Sequence, residues 1–281
     1  MKRWIMQGVV WCWIMAVPLH AHGDMHARIE ALTREISKHP DDAALYLRRG
    51  QLHQQHEEFA AAEADYVEAE TRKADLAALQ LARGQLQLAQ GNAASACAHF
   101  DRFLQQEPTH VEARLARAAA RVHLKAFADA VDDFNFVLMV APTPEPEWFI
   151  DRAQALAAIN PPRYEEALKG LDDGLARLGA GVVTLVLAAV DLEIKAGLVD
   201  QALARLDRAA SAAARQESWV LRRGDVLAQA GRAPAAKQAY EHVLELIAAL
   251  PPRQRRTRAT TDMEERARQA LAILAAPGPG R

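Results

Sequence analysis

A spacing of 34 residues governs most of this chain. The segment "AALYLRRGQLHQQHEEFAAAEADYVEAE" begins at Ala43, and "LAALQLARGQLQLAQGNAASACAHFDRF" repeats its pattern, so that Gly84 follows Gly50 by one period. Both segments are rich in helix formers. A glycine inside each is therefore unexpected, because it costs about 1 kcal/mol relative to alanine in a helix. Self-similarity at a fixed period of this size indicates a repeat array.

Three positions carry the pattern when Ala43 is counted as position 1. Each repeat is predicted to contain two helices, with position 8 in the first helix and position 20 in the second. Small residues at both positions allow the two helices to approach closely. A large residue at position 24 then fills the layer beneath. Alanine is expected to be tolerated at Gly84, because Ala118 and Ala153 occupy the same position. The residues are Gly50, Gly84, Ala118, Ala153, Val190 and Gly224 at position 8, Ala62, Ala96, Ala130, Ala167, Ala202 and Ala236 at position 20, and Tyr66, Phe100, Phe134, Leu171, Leu206 and Tyr240 at position 24.

This pattern resembles the tetratricopeptide repeat (TPR), a family with small residues at positions 8 and 20, an aromatic residue at 24 and often proline at 32. Pro108 and Pro142 stand at position 32 of repeats two and three. The resemblance implies an all-α fold, an α-solenoid of about six TPR helix pairs with a flanking helix at each end. Position 7, usually leucine in the family, departs from the pattern. We expect its arginines to cover apolar surface with their stems while their heads reach water. They are Arg49, Arg83, Arg117, Arg152 and Arg223.

The periodicity also predicts the organisation of the chain. A helix with Ile29, Leu32 and Ile36 at helical spacing is expected within residues 22–42. Residues 251–281 are expected to form a basic loop, a capping helix that starts with a capping box of Thr261 and Glu264, and a frayed tail. The array itself is predicted over residues 43–250, with repeats near 43–76, 77–110, 111–144, 145–182, 183–216 and 217–250.

The N-terminus has the order of residues of a secretory signal peptide. Lys2 and Arg3 precede an apolar run at residues 9–17, and Ala21 stands at a plausible cleavage position. We therefore predict a signal peptide over residues 1–21 and export to the bacterial periplasm or the medium. The alternative is an uncleaved membrane anchor, although the apolar stretch of about 16 residues is shorter than the roughly 20 of a spanning helix. Cys97, the only cysteine of the mature chain, is expected to be a small buried residue.

Several classes of function lack support in the sequence. A formal charge of −2 argues against an electrostatic nucleic-acid binder. No phosphate loop, G-x-S-x-G or H-E-x-x-H motif is present, so we predict no enzyme activity and no cofactor. The basic run "PPRQRRTRATT" is interpreted as a solvated loop; contact with nucleic acid or anionic lipid is the alternative. Its arginines are Arg253, Arg255, Arg256 and Arg258.

Histidines near the predicted mature N-terminus support an alternative hypothesis about function. After cleavage at Ala21 the mature chain would begin "HGDMH", which places His22, Asp24 and His26 beside a free amine, a combination that suits a divalent transition metal. These three residues are weak metal-ligand candidates, and they support a metal-handling or envelope-assembly accessory factor as the second hypothesis. His53 and His56 are three residues apart on one predicted helix, but no carboxylate partner is evident in the sequence.

The concave groove of the array is the predicted binding site. Positions 5 and 9 of each first helix share a face, and proteins that this sequence resembles line their groove with that face. Position 5 is aliphatic throughout, which makes recognition of a partner's C-terminal carboxylate by lysines unlikely; its residues are also candidates for core between repeats. Position 9 is polar in every repeat except the third, which has Ala119, and it becomes acidic toward the C-terminus, which favours a basic or amide-rich partner. The predicted partner is a protein or peptide, not a nucleic acid. The groove residues are Leu47, Gln51, Leu81, Gln85, Leu115, Gln154, Leu187, Asp191, Leu221 and Asp225.

Overall fold

The chain is all-helical over the part described. A computed structural model describes residues 19–275, with side chains from residue 25 onward, and every regular element in that range is a helix. The predicted signal peptide lies largely outside the described residues, as does the tail at 276–281. None of the helices within residues 19–275 is both long enough and apolar enough to span a membrane.

The described chain divides into two compact units between Leu124 and Lys125. The N-terminal unit holds the flanking helix, repeats one and two and the first helix of repeat three. Its helices are α1 (Leu19–Lys38), α2 (Ala43–Gln55), α3 (Phe59–Thr71), α4 (Leu76–Ala89), α5 (Ala93–Gln106) and α6 (Val111–His123).

The C-terminal unit holds the remaining repeats and the end of the chain. Its helices are α7 (Phe127–Val140), α8 (Pro146–Ala158), α9 (Tyr164–Leu178), α10 (Val183–Lys195), α11 (Val199–Ala212), α12 (Glu217–Gln229), α13 (Ala233–Ala249), α14 (Pro252–Arg255) and α15 (Arg258–Ala275).

Helices pack mainly on their neighbours in sequence. In the N-terminal unit α2 pairs with α3 and α4 with α5, and the first helices also form a row, because α4 contacts both α2 and α6. In the C-terminal unit α8 pairs with α9, α10 with α11, and α12 with α13, while α8 contacts α10. Helix α1 packs on α2, and α15 packs on α13 and α12. The predicted helix pairs with a flanking helix at each end are confirmed.

Local sequence sets where the helices begin and end. Asp42 and Asp75 cap α2 and α4, each accepting a hydrogen bond of 2.9 Å from the backbone N–H two residues on. Helices α4, α10 and α12 are followed by a glycine with positive φ, and Gly91 (φ 79°) shows the reason. The chain reverses there through a hydrogen bond of 2.8 Å from Asn92 N to Gln87 O, in a backbone conformation that glycine adopts without strain.

The glycines of position 8 lie directly beneath aromatic rings. A β-carbon added to Gly50 would stand 2.6 Å from Tyr66 Cε1, and one added to Gly84 would stand 2.7 Å from Phe100 Cε1. Gly224 has the same relation to Tyr240. The glycines thus give up helix propensity so that the ring of position 24 can rest on the first helix. The expected tolerance of alanine at Gly84 is therefore wrong, because even one carbon overlaps the Phe100 ring.

The arginines of position 7 bind carboxylates rather than extending their heads into water. Arg49 donates to Asp65 through Nε (2.9 Å) and Nη2 (2.6 Å), and the hydrogen bond with that carboxylate raises the pKa of Arg49. Arg117 Nη1 donates to Asp101 at 2.6 Å. Arg83, Arg152 and Arg223 pair with carboxylates in the same way. The arginines that replace the family's leucine at position 7 thus form ion pairs that link first helices to second helices.

Repeat five replaces this arrangement with a buried pair. Glu193 on α10 is only 2% exposed, and its Oε1 accepts from Arg205 Nε (3.0 Å) and Nη2 (2.8 Å). Arg205 also donates to Asp172 at 2.6 Å. Burial disfavours the charged guanidinium, but the hydrogen bonds to the two carboxylates outweigh it and raise the pKa of Arg205. The other carboxylate oxygen of Glu193 has no hydrogen-bond partner among the described residues.

The C-terminal segment differs from the prediction in two respects. Part of the expected basic loop is helical, since α14 occupies Pro252–Arg255. The capping box at Thr261 is wrong: α15 already begins at Arg258, and the Thr261 hydroxyl bonds back to the carbonyl of Arg258 at 2.9 Å. Thr257, which precedes the helix, instead accepts from the backbone N–H of Thr260 at 3.4 Å.

Candidate partner-binding surface

Two glutamines at position 9 lie exposed on the first helices of the N-terminal unit. Gln51 is on α2 and Gln85 on α4, two helices that contact each other. Neither side chain makes a hydrogen bond to another described residue. Each amide therefore keeps its donors and its acceptor for a group outside this part of the chain.

The leucines at position 5 stand at different depths. Leu47 is 9% exposed and packs with Ile36 of α1, so it belongs to the core between helices. Leu81 and Leu115 are half-buried, and Leu81 packs against the cores around Phe100 and Phe103. In this unit the alternative assignment to core between repeats fits Leu47. Leu81, one helical turn before Gln85, and Leu115 on the contacting helix α6 both retain exposed area.

The C-terminal unit places its predicted groove residues in a similar way. Gln154 on α8 is exposed and makes no hydrogen bond to a described residue, and Leu187 on the contacting helix α10 is half-buried. Leu221 is only 3% exposed and lies in the core that α12, α13 and α15 share. A partner can reach Gln154 and part of Leu187, but Leu221 serves the packing of the array.

The acidic end of the predicted groove is neutralised by arginines of the chain itself. Asp191 forms an ion pair with Arg222 of the next first helix. Asp225 accepts hydrogen bonds from Tyr240 Oη at 3.0 Å and from Arg266 Nη2 of α15 at 3.1 Å. Both aspartates hold neighbouring helices together, so neither offers the uncommitted negative charge from which a basic or amide-rich partner was predicted. Arg222 and Arg266 are the residues that sequence reasoning missed.

Tyr240 gives this corner of the C-terminal unit a pH dependence. Burial, reinforced by the hydrogen bond to Asp225, raises the pKa of Tyr240 to about 12. The unfolded chain releases this proton near pH 10, so the folded state binds more protons between about pH 10 and 12. Stability must then fall as the pH rises through that window, by up to about 1.4 kcal/mol per pH unit for this group.

We expect Tyr240→Phe to flatten the alkaline part of the stability curve. Urea unfolding at a series of pH values from about 8 to 11.5 measures the slope independently of any constant loss from the missing hydrogen bond. Tyr66, whose pKa burial also raises, remains in the variant and leaves a residual slope. An unchanged slope between wild type and variant would show that Tyr240 titrates normally in the folded state.

Histidines meet at the other end of the chain. The rings of His26 on α1 and His56 lie 4.6 Å apart, and Glu58 approaches both His53 Nδ1 (2.6 Å) and His56 Nδ1 (3.3 Å). Glu58 is the carboxylate partner that the sequence did not reveal. The side chains of His22 and Asp24 lie outside the described part. Among the residues that are described, no group of three or more ligands has an arrangement that could hold a metal ion.

A cleft of about 670 Å³ offers a second surface in the C-terminal unit. It lies among α7, α8 and α9, with apolar walls from Leu138 and Met139 and basic groups from Arg152, Lys169 and Arg177. None of the residues predicted for the groove lines it. Its existence means that a test of partner binding must compare the first-helix surface with this cleft.

The comparisons with known proteins identify the fold. No protein-family model and no curated protein matches the sequence. Among solved structures, a tetratricopeptide repeat protein from Parabacteroides merdae is 16% identical, with a TM-score of 0.55 over 89% of this chain and 94% of that one. The C-terminal part of a TPR repeat-containing protein from Cytophaga hutchinsonii is 15% identical, with a TM-score of 0.64 over 87% of this chain and 96% of that one.

A third similar structure contains bound protein. The structure of Naa15/Naa10 bound to HypK-THB includes a chain 16% identical to this one, with a TM-score of 0.52 over 90% of this chain and 37% of that one. At these identities the three likenesses concern the fold and leave the partner of this chain open.

Proposed function

We propose that this chain, which has the tetratricopeptide-repeat fold, is an exported, non-catalytic scaffold that binds a protein or peptide on the first-helix surface. We define that surface by Gln51, Gln85, Leu81 and Leu115 in the N-terminal unit. Gln154 and Leu187 form the corresponding surface of the C-terminal unit, which is considered by itself. Export rests on the signal-like N-terminal sequence, and the absence of enzyme activity rests on the lack of catalytic motifs.

One observation carries the proposal. Gln51, Gln85 and Gln154 are exposed on first helices, and no other described residue satisfies their amides. The acidic residues of the same repeat position, by contrast, are bound by arginines. An extended or helical segment laid along the first helices of one unit can hydrogen-bond the amides while its apolar side chains contact the half-buried leucines of those helices. The recognised segment is accordingly neutral and mixed in polarity, not basic.

A capture experiment with matched variants tests the proposal. The chain is immobilised and exposed to an extract of the cell envelope. Gln51→Arg combined with Gln85→Arg is expected to weaken capture of the partner at least about tenfold, because bulky charges then occupy the place of the peptide. Helical circular dichroism and the melting temperature should stay unchanged, since both positions are exposed.

Two control variants are used: one places two arginines elsewhere on the N-terminal unit, and the other changes the cleft of the C-terminal unit. Ser95→Arg with Gln105→Arg puts two arginines on the exposed surface of α5, and Lys169→Glu alters the cleft among α7, α8 and α9. Both controls are expected to capture the partner as wild type does. If Lys169→Glu abolishes capture while the glutamine variants retain it, the partner binds in the cleft and the proposal is wrong.

A further inference from the structure

Four arginines form an exposed basic patch where the chain turns between α13 and α15. Arg253, Arg255, Arg256 and Arg258, here called the arginine patch, fall within six residues, and all are exposed. Asp262 is the one carboxylate in residues 251–262. It lies 3.9 Å from Arg258 Nε, with both side chains largely in water. The other three arginines form no ion pair with a described residue, in contrast to the arginines of position 7.

The backbone beneath the patch is ordered by its own hydrogen bonds. Arg255 N donates to Pro251 O at 3.0 Å, which closes the single turn of α14, and Thr257 Oγ1 donates to Gln254 O at 3.1 Å. Arg215, from the link between α11 and α12, donates to Thr260 Oγ1 at 3.2 Å and is paired with Glu217 at 3.3 Å, so it ties the patch to α12 without adding net charge. The positive charges are therefore held at one end of the C-terminal unit.

The composition of the patch limits the chemistry of its partner. Residues 251–262 contain no aromatic side chain, so there is no platform on which nucleic-acid bases can stack. They also lack a large apolar side chain of the kind that anchors a specific protein interface. Clustered guanidinium groups bind phosphate oxygens well, and they need no apolar contact to do so.

The rest of the sequence favours a membrane as the source of those phosphates. The chain as a whole carries a charge of −2, so the patch is a local concentration of positive charge and not a general property. The apolar run at residues 9–17 is interpreted as a signal peptide or an anchor, and either would bring the chain to or across a membrane. Basic clusters at a membrane surface bind anionic headgroups, with about fivefold in affinity for each arginine.

We propose that the arginine patch binds the phosphate groups of an anionic lipid surface and holds the C-terminal unit against a membrane without inserting into it. This site is separate from the first-helix surface. Binding by charge alone should weaken steeply with salt, because about 0.5 M salt screens exposed charges beyond a few ångströms.

Vesicle co-sedimentation of the full chain tests the proposal. Vesicles of phosphatidylcholine alone are compared with vesicles that contain about one third phosphatidylglycerol, and the readout is the gain in binding that the anionic lipid causes. The comparison of wild type with a patch variant removes any contribution of the N-terminal segment, including Lys2 and Arg3, because both proteins carry it. Changing all four patch arginines to glutamine is expected to reduce the gain by several hundredfold, on the order of fivefold for each arginine.

A charge-matched variant separates the position of the patch from net charge. Arg28, Arg48, Arg102 and Arg208 are exposed on other helices, and changing these four to glutamine gives the same formal charge. This variant should keep most of the gain. Equal losses in the two variants, or no gain for wild type on anionic vesicles at low salt, would overturn the proposal. It would also fail if the patch arginines proved necessary for binding a labelled single-stranded DNA but not for binding vesicles.

Discussion

Changing Arg205 alone to methionine is expected to lower the free energy of unfolding by about 3–5 kcal/mol. The reason lies in Glu193, which is 2% exposed and depends on Arg205 for both hydrogen bonds to its Oε1. Without the guanidinium a buried carboxylate has no opposite charge beside it. Urea unfolding measures the loss. Arg208→Met, at an exposed position of the same helix α11, is the control and should change stability by less than about 0.5 kcal/mol.

Removing both charges should have a much smaller effect than removing one. Glu193→Leu combined with Arg205→Met replaces an imperfect ion pair with apolar side chains, and the second carboxylate oxygen of Glu193 already lacks a partner. We expect the double variant to lie within about 1 kcal/mol of wild type, or above it. A double variant that is as unstable as Arg205→Met would mean that the packing of these side chains, not their charge, stabilises repeat five.

The second large effect is expected at Gly84. Gly84→Leu should destabilise the chain by about 1–3 kcal/mol, because the added carbons have no space beneath the ring of Phe100. Gly84→Ala should also be destabilising, despite its better helix propensity, since its β-carbon would lie 2.7 Å from Phe100 Cε1. Gly181→Ala is the control: a β-carbon there meets no atom within 4 Å.

A smaller residue at position 24 should offset the destabilisation that alanine causes at position 8. In repeat four the chain itself combines Ala153 with Leu171, so Gly84→Ala with Phe100→Leu reproduces a pairing that the array already contains. We expect the double variant to be more stable than the sum of the two single changes predicts, by at least about 1 kcal/mol. Strict additivity in urea unfolding would show that the alanine and the ring do not compete for the same space.

The sequence predicted those features of the fold that recur within one repeat. Position 20 and the pairing of position 8 with position 24 follow from the 34-residue period, and they place α2 through α13 without reference to the rest of the chain. The longer turn of repeat four was also predictable, since Pro161 and Pro162 precede α9. This turn spans residues 159–163, whereas the turn between α2 and α3 consists of residues 56–58 alone.

Contacts between repeats were not predictable in the same way. Asp191 meets Arg222 only because neighbouring first helices pack at a particular register, and Asp225 meets Arg266 only because α15 folds back beyond the end of the period. The distance between Gly84 and Phe100 likewise depends on how closely two helices approach. Sequence periodicity identifies the side chains of the first-helix surface, but three-dimensional packing decides which of them remain available to a partner.

Site-specific photocrosslinking tests the first-helix surface most directly. A benzophenone amino acid is placed at Gln51, Gln85 or Gln154, and in separate variants at Ser95 or Gln105 on the exposed surface of α5. After irradiation in the cell envelope, we expect one partner to be crosslinked from Gln51 and Gln85 of the N-terminal unit and a partner to be crosslinked from Gln154 of the C-terminal unit. We expect no crosslink from the two positions on α5. Crosslinks to a partner from Ser95 or Gln105, with none from Gln51, Gln85 or Gln154, would contradict the account.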